Sequence, residues 1–326
     1  MRFVTTLLLA ACSGRTQDSS STDSGLGRNT IPDLPTTACG PEHEWLPTSE
    51  MGQVVAAEAD STLSLTKEVI DLLLESNGLS EYGPVNNGVQ TWRVRYITQD
   101  RGESVEATGF VFLPDIETNA TLPLLLYTHP LMGFNDACAP TAIGLEGAAV
   151  PLLMSAMGLV VAAPDYLGMR GYGEGSSQIH PAILAEPTAI ASLDSLRAAV
   201  QLAEDQESPA QPDRDRTLLW GASEGGFAAL WSDRYWPRYA PEFNNIGVVA
   251  AIPPTDIQAL ATIATADFSP ATAALAAILI GMDQWYEVND LTGVLNESLV
   301  TVLPDEMMAD CSSFPSVNDA SLPDDF

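Results

Sequence analysis

Basic residues are scarce in this chain. Its 326 residues hold 13 Lys and Arg against 43 Asp and Glu, a formal charge of −30, and Lys67 is the only lysine. A surface of that sign repels phosphate backbones and anionic headgroups, which argues against a nucleic-acid partner. The charge itself is compatible with a solvated acidic shell and with adaptation to high salt, where screening removes the self-repulsion. Histidine is rarer still. There are three, His43, His129 and His180, and none lies between Glu224 and Phe326. Of the four cysteines no two stand at metal-ligand spacing, and the histidines are scattered, so a metal site is not expected. After Cys12, the cysteines Cys39, Cys138 and Cys311 are odd in number, which rules out complete pairing among themselves. There are no internal repeats. What is present is a 46% hydrophobic chain, enough for one large α/β domain or two small ones.

The N-terminus reads as a processing signal. Arg2 precedes the apolar run Phe3 to Ala11, too short for the about 20 residues that span a bilayer. Its end, Leu9-Ala10-Ala11-Cys12, resembles the lipobox of bacterial lipoproteins, which implies lipidation at Cys12 and a membrane anchor. An ordinary secretory signal is the alternative, with a periplasmic or secreted product. Residues 13–38, rich in Ser, Thr, Asp, Gly and Pro, read as a disordered tether.

From Ser61 to Asn77 apolar residues recur at helical spacing and end at Asn77-Gly78. Val89–Thr98 and Val105–Leu113 read as a hairpin around Asp100-Arg101-Gly102. Leu122–Thr128 is an unbroken apolar strand of the kind buried in parallel sheets. A helix over Ile143–Met157, a strand over Leu159–Ala163, a helix over Thr188–Ala203 and a strand over Ile246–Ile252 follow. This alternation predicts an α/β fold, a mostly parallel sheet with helices on both faces. Ala259–Gly281 is nearly all Ala, Ile and Leu and reads as a core or cap helix. The expected organisation is a core over 39–254 and a partial helical cap over 255–326.

Gly221-Ala222-Ser223-Glu224-Gly225-Gly226 lies between the strand-like Thr217–Trp220 and the helix-like Phe227–Trp231. That is a G-x-S-x-G in the strand–turn–helix setting of a nucleophile elbow, where small residues let the serine hydroxyl stand clear of the turn. A serine needs a base to take its proton, and that base is usually histidine. Tyr127–Gly133 follows a buried strand, where such folds place half of an oxyanion hole; the amides of Leu131 and Glu224 are the expected donors.

Further motifs accompany these. His129-Pro130-Leu131-Met132-Gly133 through Cys138-Ala139-Pro140-Thr141 resembles the HGTTG…CAPS segment of the secretory lipase family of α/β-hydrolases. Val161–Met169 resembles its APDYxGLG stretch and His180-Pro181 its HPYL, while Ala240–Glu242 and Ala251–Ile257 are similar to segments after the nucleophile helix. The resemblance spans roughly residues 120–260. It implies an ester hydrolase acting through an acyl-enzyme on Ser223, with an ester or lipid substrate and no cofactor.

Two departures stand out. Pro130 replaces the glycine after the first histidine and has no N–H to donate. Family members also carry an aspartate and then a histidine on later strands, so a truncated product of impaired activity is the expectation. A sheet without those strands would leave an unpaired edge and expose the apolar segment Ala271–Ile280. His129, His180 and Asp256 are candidate substitutes in the triad. His43 is a weaker candidate, and Asp165 is expected to fix its loop through backbone hydrogen bonds. A non-catalytic surface-tethered binding protein and a peptidase on the same fold are the alternatives.

Overall fold

The computed structural model describes residues 43–264, 266, 270–288, 291, 294–309 and 311. The signal segment, Cys12, the tether and Cys39 lie outside the described residues. Seven strands form one sheet: β1 (Val54–Ala59), β2 (Gly88–Asp100), β3 (Glu103–Asp115), β4 (Ala120–Thr128), β5 (Val160–Pro164), β6 (Ala210–Ala222) and β7 (Asn245–Ala251). Their spatial order is β1-β2-β3-β5-β4-β6-β7. The first three strands pair antiparallel, and β5, β4, β6 and β7 run parallel to one another. The β2–β3 hairpin turns at Arg101 and Gly102, both at positive φ, as a two-residue turn between twisted strands requires.

Helices α1 (Lys67–Ser76) and α2 (Leu145–Ala156) cover one face, and α3 (Ala185–Asp205) and α4 (Glu224–Tyr239) the other. The period of two decides which residue meets which layer. Leu124 and Leu126 of β4 pack with Leu193 and Leu196 of α3, whereas Leu125 and Tyr127 pack with Leu152 of α2. Both faces of the central strands are therefore dry, which is why Leu122–Thr128 reads as a continuous apolar run.

Three expectations need correction. The helix starts at Lys67 rather than Ser61: the Asp60 carboxylate accepts the Thr62 and Leu63 N–H groups, and Leu65 forms a β-bridge with Val89. Ala259–Gly281 is two helices, α5 (Ile257–Ala264) and α6 (Pro270–Tyr286), because proline opens a helix far better than it continues one. Most of the segment Ala271–Ile280 is buried rather than exposed. Ala276, Ala277, Leu279 and Ile280 are buried with Leu299, Leu303 and Met307 of α7 (Glu297–Ala309), and with Phe134 and Ile179. Exposed apolar side chains gather instead at β7 and α5: Ile246, Val249, Ile252, Leu260 and Ile263.

Candidate active site

The carboxyl ends of β4 and β6 lie side by side, with Thr128 opposite Gly221. The sheet order reverses at β4, whose neighbours are β5 and β6, and crevices at such switch points are where open α/β sheets place their ligands. Ser223 follows β6 at φ 55° and ψ −122°, a conformation nearly reserved for glycine. Its N–H donates to the Ala251 carbonyl at 2.9 Å, and its own carbonyl accepts from Phe227 N–H at 3.1 Å. The turn is thus held from β7 on one side and from α4 on the other.

The glycines around Ser223 are dictated by packing. A Cβ on Gly221 would lie 2.1 Å from the Gly225 carbonyl oxygen, and one on Gly225 would lie 2.0 Å from that of Thr128. Gly226 would meet the Ala251 oxygen at 2.8 Å. The Thr128 hydroxyl clasps the turn by donating to the Gly225 carbonyl at 2.7 Å.

Glu224 opens α4, and its amide belongs to the first helical turn, whose N–H groups have no intrahelical acceptor. Its side chain turns inward and is 1% exposed. Oε1 lies 3.0 Å from His180 Nε2 and accepts from Ile183 N–H at 3.1 Å. Burial alone would raise this carboxyl, but the His180 ring and its hydrogen bond outweigh that and hold it below its usual value. His180 Nδ1 lies 2.8 Å from the Leu167 carbonyl oxygen. A carbonyl only accepts, so Nδ1 carries a proton; Nε2 meets the carboxylate through a proton between them. Both ring nitrogens are therefore engaged within the protein.

His129 is also buried, and as a neutral ring it can donate to only one of the two carbonyls it faces. It is 2% exposed, with Nδ1 2.7 Å from the Pro130 carbonyl and Nε2 3.4 Å from that of Asp165. Burial drives its pKa down to about 4. Tyr166 sits between the two rings, 4.1 Å from His129 and stacked on His180 at 5.5 Å, and donates its hydroxyl to the His129 carbonyl at 3.0 Å. It too is at positive φ, as are Ile183 and Ile252, so strained non-glycine residues surround the serine turn.

The other candidates are elsewhere or otherwise engaged. Asp256 Oδ1 accepts from Ala259 N–H at 2.9 Å at the start of α5, a helix N-cap. His43 lies edge-on against Trp285, with Nδ1 3.8 Å from Glu186 Oε1. Asp165 is held chiefly by hydroxyls rather than backbone alone: Thr108 Oγ1 donates at 2.6 Å, Thr141 Oγ1 at 2.5 Å and Thr141 N–H at 3.0 Å. Burial raises its carboxyl to about 6 against these donors. Leu131 is half-buried against the cluster formed by α6 and α7, two residues beyond His129. Cys138 is buried and Cys311 exposed, the latter donating weakly to the Met132 carbonyl at 3.5 Å, so the two form no disulfide. Among the described residues no cluster of His, Cys, Asp and Glu is placed to hold a metal ion.

Sequence reasoning missed the Glu224 side chain, Tyr166 and Thr128. The signal for Glu224 was available: an acid next to a buried turn needs a cationic or donor partner, and this chain has few.

A mostly parallel sheet, helices on both faces and a strained serine at a strand-to-helix turn define an α/β-hydrolase. Its sequence narrows the class further. The chain belongs to the secretory lipase family, whose model matches residues 138–307. Over 192 residues it is 28% identical to a protein of Mycobacterium tuberculosis (strain CDC 1551 / Oshkosh) named a probable inactive lipase. That similarity covers 55% of this chain and 40% of the relative, so the chain spans well under half of that protein's length. The rice cell wall degrading esterase LipA from Xanthomonas oryzae superposes with a TM-score of 0.69 at 20% identity, covering 84% of this chain and 70% of that one. Candida antarctica lipase A in its closed state gives 0.55 at 18% identity, covering 80% and 57%. These two likenesses show the fold.

Proposed function

We propose that this chain is an exported carboxylic ester hydrolase in which Ser223 is the nucleophile and turnover is slow. The observation that carries this reading is the strained Ser223 turn, held by main-chain bonds and packed glycines that leave room for no other geometry. Ser223 Oγ would attack the ester carbonyl carbon and release the alcohol, which takes up a proton; water would then cleave the acyl–Oγ bond. The N–H groups of Glu224 and Leu131 would face the developing oxyanion, each worth on the order of 3 kcal/mol in the transition state. Lipidation of Cys12 belongs to the same reading, as does a small ester or lipid substrate.

Slow turnover follows from the histidines. The rings of His129 and His180 are both bonded elsewhere, and His43 packs against Trp285. The name of the mycobacterial relative supports this. With a serine and an oxyanion hole but no base, a residual rate of about 10³–10⁴-fold over water is the expectation. Hydrolysis of p-nitrophenyl butyrate by the 326-residue protein, compared with Ser223→Ala, tests both parts. A slow rate abolished by Ser223→Ala is expected. Turnover typical of intact triads would overturn the impairment; equal rates in both proteins would overturn the serine's role and favour a non-catalytic binding protein.

A further inference from the structure

His180 contacts the loop after β4, the start of α4 and the helix α6. It sits on the loop between β5 and α3 and is fully buried. Its backbone N–H donates at 2.9 Å to the carbonyl of Phe134, three residues beyond Leu131 on the loop that follows β4. Its ring holds the Glu224 side chain at 3.0 Å, on the residue whose amide opens α4. Its carbonyl oxygen lies under α6, where a Cβ on Gly281 would stand 3.1 Å away. Its Cα is pressed so closely on Gly168 that a Cβ there would lie 2.5 Å off. The loop cannot drift relative to one of these neighbours without straining the rest.

The Glu224 carboxylate shows that this arrangement is specific. A first-turn glutamate on an α/β sheet ordinarily faces water, where the helix dipole favours it at no desolvation cost. Here it is buried, bonded through Oε1 to His180 and to the amide of strained Ile183, while Oε2 has no partner among the described residues. Leaving a buried carboxylate oxygen unpaired is costly. The orientation is retained because the ring on the other side holds it.

We infer that His180 is a positioning residue that fixes the separation of the Leu131 and Glu224 amides and couples it to the seating of the cap helix α6. This rests on the ester-hydrolase reading above. His180 does no proton transfer; it acts through Phe134 on one donor and through the Glu224 side chain on the other. Removing the ring frees Glu224 to turn toward solvent and lets the two donors move independently.

The test uses the full chain and the variants His180→Gln, His180→Ala, Glu224→Gln and Gly281→Ala. Amide hydrogen exchange reads the geometry without turnover. In His180→Gln and His180→Ala, exchange at Leu131 and Glu224 should rise at least tenfold, with Leu126 and Val161 in the sheet unchanged. In Gly281→Ala, which presses on the His180 carbonyl from the cap, both amides should shift together by a few-fold. With p-nitrophenyl butyrate, kcat in the His180 variants should fall on the order of 10²-fold with KM within threefold, and Glu224→Gln, which keeps Oε1, should fall between. Should His180→Ala not fold, His180→Gln decides. Exchange at the two amides that moves no more than the sheet, or a rise in KM alone, would overturn the inference. Absence of Ser223-dependent turnover would overturn the ester-hydrolase reading while leaving the exchange result to stand or fall by itself.

Discussion

Replacing Ser223 by glycine should make the protein more stable. The serine is held at φ 55°, ψ −122° by two main-chain bonds, Ser223 N–H to Ala251 and Phe227 N–H to Ser223, which any residue can make. Residues in such sparsely populated backbone regions cost on the order of 1–3 kcal/mol. Glycine removes the Cβ that causes the clash, at an entropic cost in the unfolded chain of about 0.4–1 kcal/mol. The net gain is about 1 kcal/mol, or roughly 2–4 °C in Tm for a domain of this size. Ser223→Ala is the control: it loses the hydroxyl but keeps the Cβ, so its stability should stay near that of the parent. Urea midpoints at unchanged m-value, with a thermal scan beside them, give the comparison. If the glycine variant is no more stable than the alanine variant, the turn is not strained and the reasoning fails.

Gly225→Ala should act in the opposite sense, because its Cβ would lie 2.0 Å from the Thr128 carbonyl oxygen and 2.7 Å from that of His129. Both are backbone atoms at the end of β4, and a loss of about 2–3 kcal/mol in chemical denaturation is expected. His129 should make stability fall in acid. Its folded pKa of about 4 lies below the ordinary histidine value of 6.5, so the unfolded state binds the extra proton. Its contribution is therefore complete above pH 6.5 and is lost as pH falls toward 4, by about 3 kcal/mol. The stability difference between parent and His129→Asn should shrink or reverse by that amount between pH 7 and pH 4; a constant difference would show that the ring is not buried neutral.

Most of the sheet was legible because its strands are buried on both faces or alternate cleanly. Leu122–Thr128 and Leu159–Ala163 could hardly be anything else, and the Arg101-Gly102 turn marks its own hairpin. β1 escaped notice because Val54–Ala59 is a short edge strand without a strong pattern, and α7 because its apolar positions are interrupted by Pro304 and acids. The serine turn was readable from glycine spacing alone, since the packing that demands those glycines is local. The Glu224–His180 contact joins residues 44 positions apart, and no local pattern encodes it. The strand order that brings them together is a property of the whole sheet.

The outer strand of the sheet has a physical consequence for how these molecules meet one another. Along β7, from Asn245 to Ala251, there is no charged residue, and Ile246, Val249 and the following Ile252 are exposed. An uncharged outer strand with no further strand paired to it among the described residues is a template for strand addition between molecules. Opposing it is a formal charge of −30 spread over each copy. That repulsion reaches about 10 Å in 0.1 M salt and about 3 Å in 1 M, whereas edge pairing needs only contact. Colloidal behaviour is then set by ionic strength: dilute buffer keeps the molecules apart, and concentrated salt shortens the barrier until their edges can zip together.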